Sequence, residues 1–456
     1  MLIKASVENF KSFDSLTELT MISSSKIRTP AEDVPKYKVE ISGASVLKSA
    51  AIYGANAAGK SNLVEFFRFF QRCVKGGIPL YAAQSFCKTR KENETRESTF
   101  EMQISIDGKS YAYGFSAVLS SRTITAEWCF ELLQNGTAKN IFKREADGKP
   151  EIDQSVKLSS EEKTKFNVYA DDFDPSKPIL FLTEMNRGKR IDQKSKLACF
   201  VSIYNWITES LIVLTPGMPI TDFQCYYNEE SLALINKLIA TFDTGISRVK
   251  VKEISFEELS TYLPKQVLND VMDNMKEKAD ATGKADVSVS MRSENSFFNI
   301  KMVNGGEPQI TTLRLQHGNS FFDYEFKEES DGTRRLFDLI DMLVNADENT
   351  VYVVDELERS LHPKLTFHFI ELFMDLHKGQ NIQLIFTTHE SAIMDQSLFR
   401  RDEIWFVERD AQNCSSIYSL DKFKERYDKK LSKAYLEGRY GAIPIFSTFQ
   451  SEGENE

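Results

Sequence analysis

A chain of 456 residues has material for more than one core, and its formal net charge of −10 excludes a protein that coats nucleic acid over its whole surface. With 41% hydrophobic and 27% charged residues, the composition is that of an ordinary globular protein and excludes disorder throughout. Six cysteines (Cys73, Cys87, Cys129, Cys199, Cys225 and Cys414) form no Cys-x-x-Cys pair and have no histidine at zinc-ligand spacing, so they read as reduced and structural.

Ile3, Ala5 and Val7 alternate with polar neighbours and predict a half-buried strand, which Asn9-Phe10-Lys11-Ser12-Phe13 interrupts; Leu16 to Ile22 predict a second strand. The stretch 23–45, rich in Ser, Pro and charge, reads as a loop or flap. Ala50 to Tyr53 then form a short apolar run, followed by Gly54-Ala55-Asn56-Ala57-Ala58-Gly59-Lys60-Ser61, which satisfies the spacing G-x-x-x-x-G-K-[ST]. Behind it Leu63, Phe66, Phe67, Phe70 and Val74 recur at helical spacing. In this strand-loop-helix setting, Gly54 and Gly59 permit a tight turn. Successive backbone N–H groups, those of Asn56 and Ala57 among them, and the positive helix end then face phosphate oxygens. Lys60 supplies charge, Ser61 a magnesium ligand, and Asn62 completes the expected phosphate-binding set.

Phe100, Met102, Ile104 and Ile106 alternate, Asp107-Gly108 offers a turn, and Tyr111, Tyr113 and Phe115 alternate again, a hairpin pattern. Further β pattern runs through Phe130 to Leu133 and Ile141-Phe142. Residues 1–148 are thus expected to form a phosphate-binding α/β part with an antiparallel β annex. The texture changes over 149–283, where Leu197 to Leu211, Ser231 to Ile239 and Phe256 to Met275 predict helices, a mainly helical insertion without the heptads of a coiled coil. Strand patterns return at Val287 to Val289, Phe297 to Met302, Leu313 to Leu315 and Phe321 to Phe326, so 284–446 should complete the α/β head; 447–456 reads as a disordered tail.

Val351 to Val354 is a fully apolar run ending in Asp355-Glu356, where a strand can deliver one carboxylate to magnesium and the next to a water facing a γ-phosphate, the Walker B arrangement. Upstream, Ser330 and Gly332 precede Leu336, Leu339, Ile340 and Leu343 at helical spacing, and so stand at a helix N-terminus. Downstream, Ile382 to Phe386 predict a strand ending in Thr387-Thr388-His389. Taken singly, Ser330 also reads as a helix cap and His389 as a surface histidine.

In this order and spacing the chain resembles the ABC-type P-loop ATPase heads of the SMC/RecF class, as does its opening Val7-Glu8-Asn9-Phe10-Lys11-Ser12-Phe13. More narrowly, it resembles the stand-alone bacterial ATPases of abortive-infection and anti-phage loci, such as RloA-like and PARIS AriA-like proteins. The resemblance covers the first quarter and the last third. It implies ATP and Mg2+ as ligands, with Lys60 and Ser61 on phosphate and metal, Asp355 on the metal, Glu356 polarising the attacking water and His389 as the switch histidine. Ser330-Asp331-Gly332 matches the signature that contacts the γ-phosphate held by a second subunit, and Arg359 to Pro363 the loop joining two sites. A homodimer or higher homo-oligomer follows.

The resemblance further implies a switch that controls a separate effector protein, a nuclease or toxin encoded nearby. The alternative is an SMC/RecF-like ATPase that binds DNA in repair or maintenance, for which local basic stretches exist at 186–190 and 422–439. Asp331 and Thr333 depart from the glycine and the glutamine or glutamate of many transporters. Gln84 and Gln103 are the candidates for the glutamine that links nucleotide to lobe movement, and neither is assigned. The 67 residues after His389 are too few for a fused nuclease domain. With no run approaching the ~18 residues of a membrane span and no signal-peptide core, the expectation is a cytoplasmic protein without a membrane partner. The segment Gly438 to Pro444 either resembles a terminal signature of the stand-alone ATPases or is a helix stop.

Overall fold

The computed structural model describes residues 1–30, 32–146, 148–216, 224–282, 286–293, 296–303, 306–423 and 430–444. The expected tail 447–456 and the middle of the basic stretch 422–439 lie outside them. The chain divides into two compact units: Met1–Thr215 with Asp347–Leu357 and His377–Glu456, and Pro216–Ala346 with Glu358–Leu376. Of the stretch 149–283, residues up to Thr215 therefore count with the first unit.

In the first unit, β1 (Leu2–Glu8) pairs with β2 (Thr17–Thr20), and β3 (Lys38–Ile41) with β4 (Ala44–Leu47), both antiparallel. The β3–β4 hairpin and the short helix Val34–Tyr37 occupy the stretch expected as a loop. Strands of four residues give too short an alternation for periodicity to register. The buried strand β5 (Ser49–Tyr53) leads through the glycine-rich turn into the helix Lys60–Gly76.

A long antiparallel run follows, β6 (Ser98–Ile106), β7 (Lys109–Val118), β8 (Thr123–Leu132), β9 (Ala138–Glu145) and β10 (Glu151–Ile152). With β1 and β2 it forms a seven-stranded sheet in the order β10-β9-β8-β7-β6-β1-β2. The β6–β7 turn falls at Asp107-Gly108, both with positive φ, as the hairpin pattern predicts. The predicted helix Leu197 to Leu211 is helical over Ala198–Asn205, continues as a π-turn over Trp206–Ser210 and passes directly into β11 (Leu211–Leu214).

The second unit carries β12 (Ile246–Ile254), β13 (Asp286–Ser293), β14 (Ser296–Val303) and β15 (Gln309–His317) in an antiparallel sheet of order β12-β15-β14-β13. Its helices include Glu229–Ile239 and Lys265–Thr282, the latter starting just after Pro264, which breaks the longer helix the sequence predicts. Phe321 to Phe326 is a turn rather than a strand; Phe321 is fully exposed and only Tyr324 bridges back, to Leu315. The helix Asp331–Val344 follows.

Back in the first unit, β16 (Val351–Val354), β17 (Gln383–Thr387), β18 (Ile404–Arg409) and β19 (Ser415–Ser419) join β5 and β11 in a six-stranded sheet ordered β11-β16-β17-β5-β18-β19. All its pairs are parallel except β18–β19. The fully buried, near-continuous apolar strands β5, β16 and β17 are what parallel strands covered on both faces require.

One core joins the two sheets of this unit. Phe66, Phe69 and Phe70 of the phosphate-loop helix meet Phe100 and Phe115 of the antiparallel sheet, with ring centroids 5.1 Å apart for Phe69–Phe100 and 5.5 Å for Phe70–Phe115. Such ring pairs add roughly 0.5–1.5 kcal/mol each beyond area burial. The buried Gln383 side chain accepts from Leu2 N at 2.6 Å and donates to Leu2 O at 2.9 Å and Leu47 O at 2.8 Å, stitching β17 to β1 and β4. The fold is thus mixed α/β with an antiparallel annex, the class expected from sequence.

Candidate nucleotide-binding site

In a parallel sheet the crevice beyond the strands' C-terminal ends is where ligands bind, because loops there can aim polar groups at one point. Here β5 ends at Tyr53 before Gly54, β16 at Val354 before Asp355-Glu356, and β17 at Thr387 before His389. A cavity of about 960 Å³ opens at that edge, lined by the whole turn Ala55 to Asn62 together with Glu356 and His389. Lys11, Lys88 and Arg409 also face it, so with Lys60 four cationic side chains surround one carboxylate, a setting suited to a polyanion.

The turn is held by chain that lies far away in sequence. Gly59, with φ of 116°, is the N-cap of the helix; a Cβ there would collide with Ser415 Oγ and come within 2.8 Å of Ser12 Oγ. Ser415 donates from its hydroxyl to Ala58 O at 2.5 Å and from its backbone to Ser12 O at 2.7 Å, while Asn62 Nδ2 donates to Ser12 Oγ at 2.8 Å. Ala57 adopts a positive φ of 60° inside this clamp.

Lys60 is buried. Its ammonium donates to Gly54 O at 2.7 Å and Ala55 O at 3.0 Å, and lies 3.3 Å from His389 Nδ1. The lysine of the glycine-rich turn and the histidine after β17 are therefore neighbours across 329 positions of sequence.

The acidic pair is organised by Thr387. Its hydroxyl donates to Asp355 Oδ1 at 2.5 Å and accepts from Glu356 N at 2.8 Å. Asp355 N in turn donates to Leu214 O on β11 at 2.9 Å, and Glu356 sits at a positive φ of 50°, which turns its carboxylate into the cavity while Asp355 stays buried. Ser61, in the first turn of the helix, lines the same cavity. Hydroxyl and carboxylate oxygens are the hard donors that magnesium takes; of the two expected metal ligands Ser61 lines the cavity, whereas Asp355 lies buried behind it with Oδ1 taken by Thr387. No cluster of three or more His, Cys, Asp or Glu that could hold a metal occurs among the described residues.

Ser330 and Gly332 lie in the second unit. Ser330 is the N-cap of Asp331–Val344, its Oγ accepting from Thr333 N at 3.1 Å and lying 2.9 Å from Thr333 Oγ1. Gly332 allows close approach of backbone: a Cβ there would lie 2.6 Å from Ser360 O, in the stretch Arg359 to Pro363 singled out from sequence. Of the two glutamines considered, Gln84 lines the cavity, whereas Gln103 donates to Glu101 on β6 at 3.2 Å.

Sequence reasoning missed Thr387, Ser415 and Arg409. Thr387 carried a weak signal, a hydroxyl at a strand end two residues before the histidine. Ser415 and Arg409 carried none, because the β18–β19 turn reaches the glycine-rich loop only through the sheet order.

Among solved structures, the chain is similar to the SmcHead bound to the C-winged helix domain of ScpA, with TM-score 0.42 and 12% identity over 92% of this chain and 97% of that one. It is also similar to the SMC head domain from Thermotoga maritima (TM-score 0.40, 12% identity, 92% and 98% covered). A third is an Smc head domain with an extended coiled coil bound to the C-terminal domain of ScpA derived from Pyrococcus furiosus (0.38, 14%, 96% and 99%). No curated protein matches the sequence. No helix among the described residues is long and apolar enough to cross a membrane. Residues 49–395, which span the glycine-rich turn, the acidic pair and the histidine, match the family described as "AAA domain, putative AbiEii toxin, Type IV TA system", and the chain belongs to that family.

Proposed function

We propose that this chain is the ATP-binding and ATP-hydrolysing switch subunit of a bacterial defence system of abortive-infection type, cytoplasmic, and acting on a separate effector protein. The observation that carries the ATPase reading is the convergence of Lys60, Glu356 and His389 on the single cavity lined by the glycine-rich turn. The triphosphate lies along Asn56 to Ser61, with Gly54 and Gly59 shaping the turn and Asn62 bracing it. Lys60 offsets phosphate charge, Glu356 aligns a water for in-line attack on the γ-phosphorus, and His389 donates to the γ-phosphate. Ser61 and Asp355 would hold Mg2+, which when bound neutralises charge developing on the phosphate oxygens. Thr387 keeps both acids in register.

Ser330 and Gly332 serve the site of a second copy, so the working form is a homodimer or a larger ring. The family description, which names a toxin of a type IV toxin–antitoxin system, supports the defence setting and an effector of nuclease or toxin type.

The test is purification of Glu356→Gln, which should retain ATP and elute as a dimer or larger. Elution as a monomer with ATP bound would remove the two-chain site. Mass spectrometry of what co-purifies with and without ATP tests the switch; recovery of nucleic acid in place of any protein would favour the DNA-binding alternative.

A further inference from the structure

A second cavity, of about 710 Å³, lies elsewhere in the first unit, against one face of the antiparallel sheet and the helix Ala198–Asn205. Strand register explains which side chains reach it. Tyr111 on β7 pairs with Glu131 on β8, and Glu131 with Lys139 on β9, so the three share a face, together with Lys109 and Ile141 two positions along their own strands. The loop after β10 adds Lys157, and the segment before the helix adds Lys194 and Lys196.

Five lysines thus line this cavity, against two acids, Asp107 and Glu131. Among the described residues, none of the five forms an ion pair with a carboxylate; Lys196 Nζ instead donates to Lys157 O, which draws two of the lysine-bearing segments together. Lysine ammonium groups repel one another unless an anion sits between them, and this local excess runs against a chain whose net charge is −10. The floor is apolar, with Ile141 and Tyr111 each only 6% exposed.

We propose that this cavity binds a small organic polyanion, a ligand bearing several phosphate groups on an apolar body, separate from the ATP held by the glycine-rich turn. Its volume falls within the range of small-molecule pockets, roughly 300–1,000 Å³. The lysines ring a concavity between sheet and helix, the arrangement for a compact ligand; a groove that tracks a nucleic-acid backbone would spread them along a stripe. Ammonium groups on flexible stems suit phosphates as point charges without demanding one planar geometry.

The test uses tripolyphosphate as probe and isothermal titration of the full chain carrying Lys60→Ala, which silences the first site. One binding event per chain should persist there. Adding Lys109→Gln, Lys139→Gln and Lys194→Gln should weaken it about tenfold or more, while the same three changes in the otherwise unaltered chain leave ATP hydrolysis and the circular dichroism spectrum as they were. Absence of any tripolyphosphate binding in Lys60→Ala overturns the proposal, as does binding that the three changes leave untouched. A twelve-nucleotide single-stranded DNA that binds more tightly than tripolyphosphate, and is lost with the same lysines, also overturns it and assigns the surface to nucleic acid.

Discussion

The two large sheets of the first unit handle polar groups in opposite ways. The parallel sheet leaves them at its strand ends, where Lys60, Glu356 and His389 face a cavity. The antiparallel sheet buries them and sets opposite charges against each other, although Arg144 Nη1 and Nη2 keep no hydrogen-bond partner there. There Glu127 and Arg144 form an ion pair of 3.0 Å with both side chains fully buried. The same carboxylate accepts from Phe181 N at 2.7 Å, Leu182 N at 3.0 Å and Tyr113 OH at 2.9 Å, while the Arg144 guanidinium lies 4.9 Å from the centre of the Phe173 ring. Glu127 therefore caps the start of the helix Phe181–Asn186 and fixes it to the sheet. Changes in the first sheet should alter turnover in a folded protein, and changes in the second should alter folding.

The largest effect expected is that of Glu356→Gln, which should lower ATP turnover by about 10²–10⁴-fold with an unchanged unfolding midpoint. Turnover within twofold of the parent would mean that another group aligns the water. Next comes Glu127→Ala, which leaves the Arg144 guanidinium and two backbone N–H groups buried without their acceptor; a loss of about 3–5 kcal/mol in urea unfolding is expected. A loss below about 1 kcal/mol would show that water reaches this knot and that the contrast between the sheets is overdrawn.

Thr387→Val tests whether the parallel sheet's strand ends are organised from behind. The hydroxyl between Asp355 and Glu356 is lost at nearly constant volume, and turnover should fall about 10–100-fold, with ATP affinity measured alongside. An unchanged rate would leave Thr387 with a packing role alone.

The last test concerns an acid buried away from the cavity. Glu403 lies at the far end of β5, taking hydrogen bonds from Ser49 Oγ and Arg400 N, both at 2.7 Å, and burial pushes its carboxyl up to about 8. Because this is above the ordinary carboxylate value, the folded state holds a proton that the unfolded state releases first. The stabilisation is complete below about pH 4.5 and is lost as pH rises towards 8, by at most about 1.4 kcal/mol per pH unit. Glu403→Gln should flatten the stability profile over that window; a parent profile already flat between pH 5 and 8 would contradict the buried-acid account.

What the sequence revealed and what it hid divide along the same line. The glycine-rich turn, the Asp355-Glu356 pair and His389 each sit at the end of a short apolar run, but His389 by itself reads as a surface histidine and only the order of the motifs singles it out. Their meeting in space was implied by motif order. Glu127 was illegible, because it sits in the middle of a β strand and its partners arrive from Arg144 and from a helix start more than fifty residues on. The pairing of Ser12 with Ser415 around Gly59 was hidden for the same reason: sheet order, which no local period encodes, creates it. The passage from helix through a π-turn straight into β11 looks from sequence like one helix, since Trp206 to Leu211 keeps an apolar rhythm compatible with either.

The position of β5 bears on how the protein is made. Its neighbours on either side are β17 and β18, Ala50 lying opposite Ile385 and Ile52 opposite Trp405. The strand that carries the glycine-rich turn leaves the ribosome long before β17 and β18, so both of its flanking edges stay open until those two strands have been translated. A fragment released before Gln383 would hold the lysine and serine of the turn without the sheet that aims them. Nascent chains of this protein are therefore expected to gain affinity for ATP late and in one step, and to need shielding of an exposed apolar strand until then.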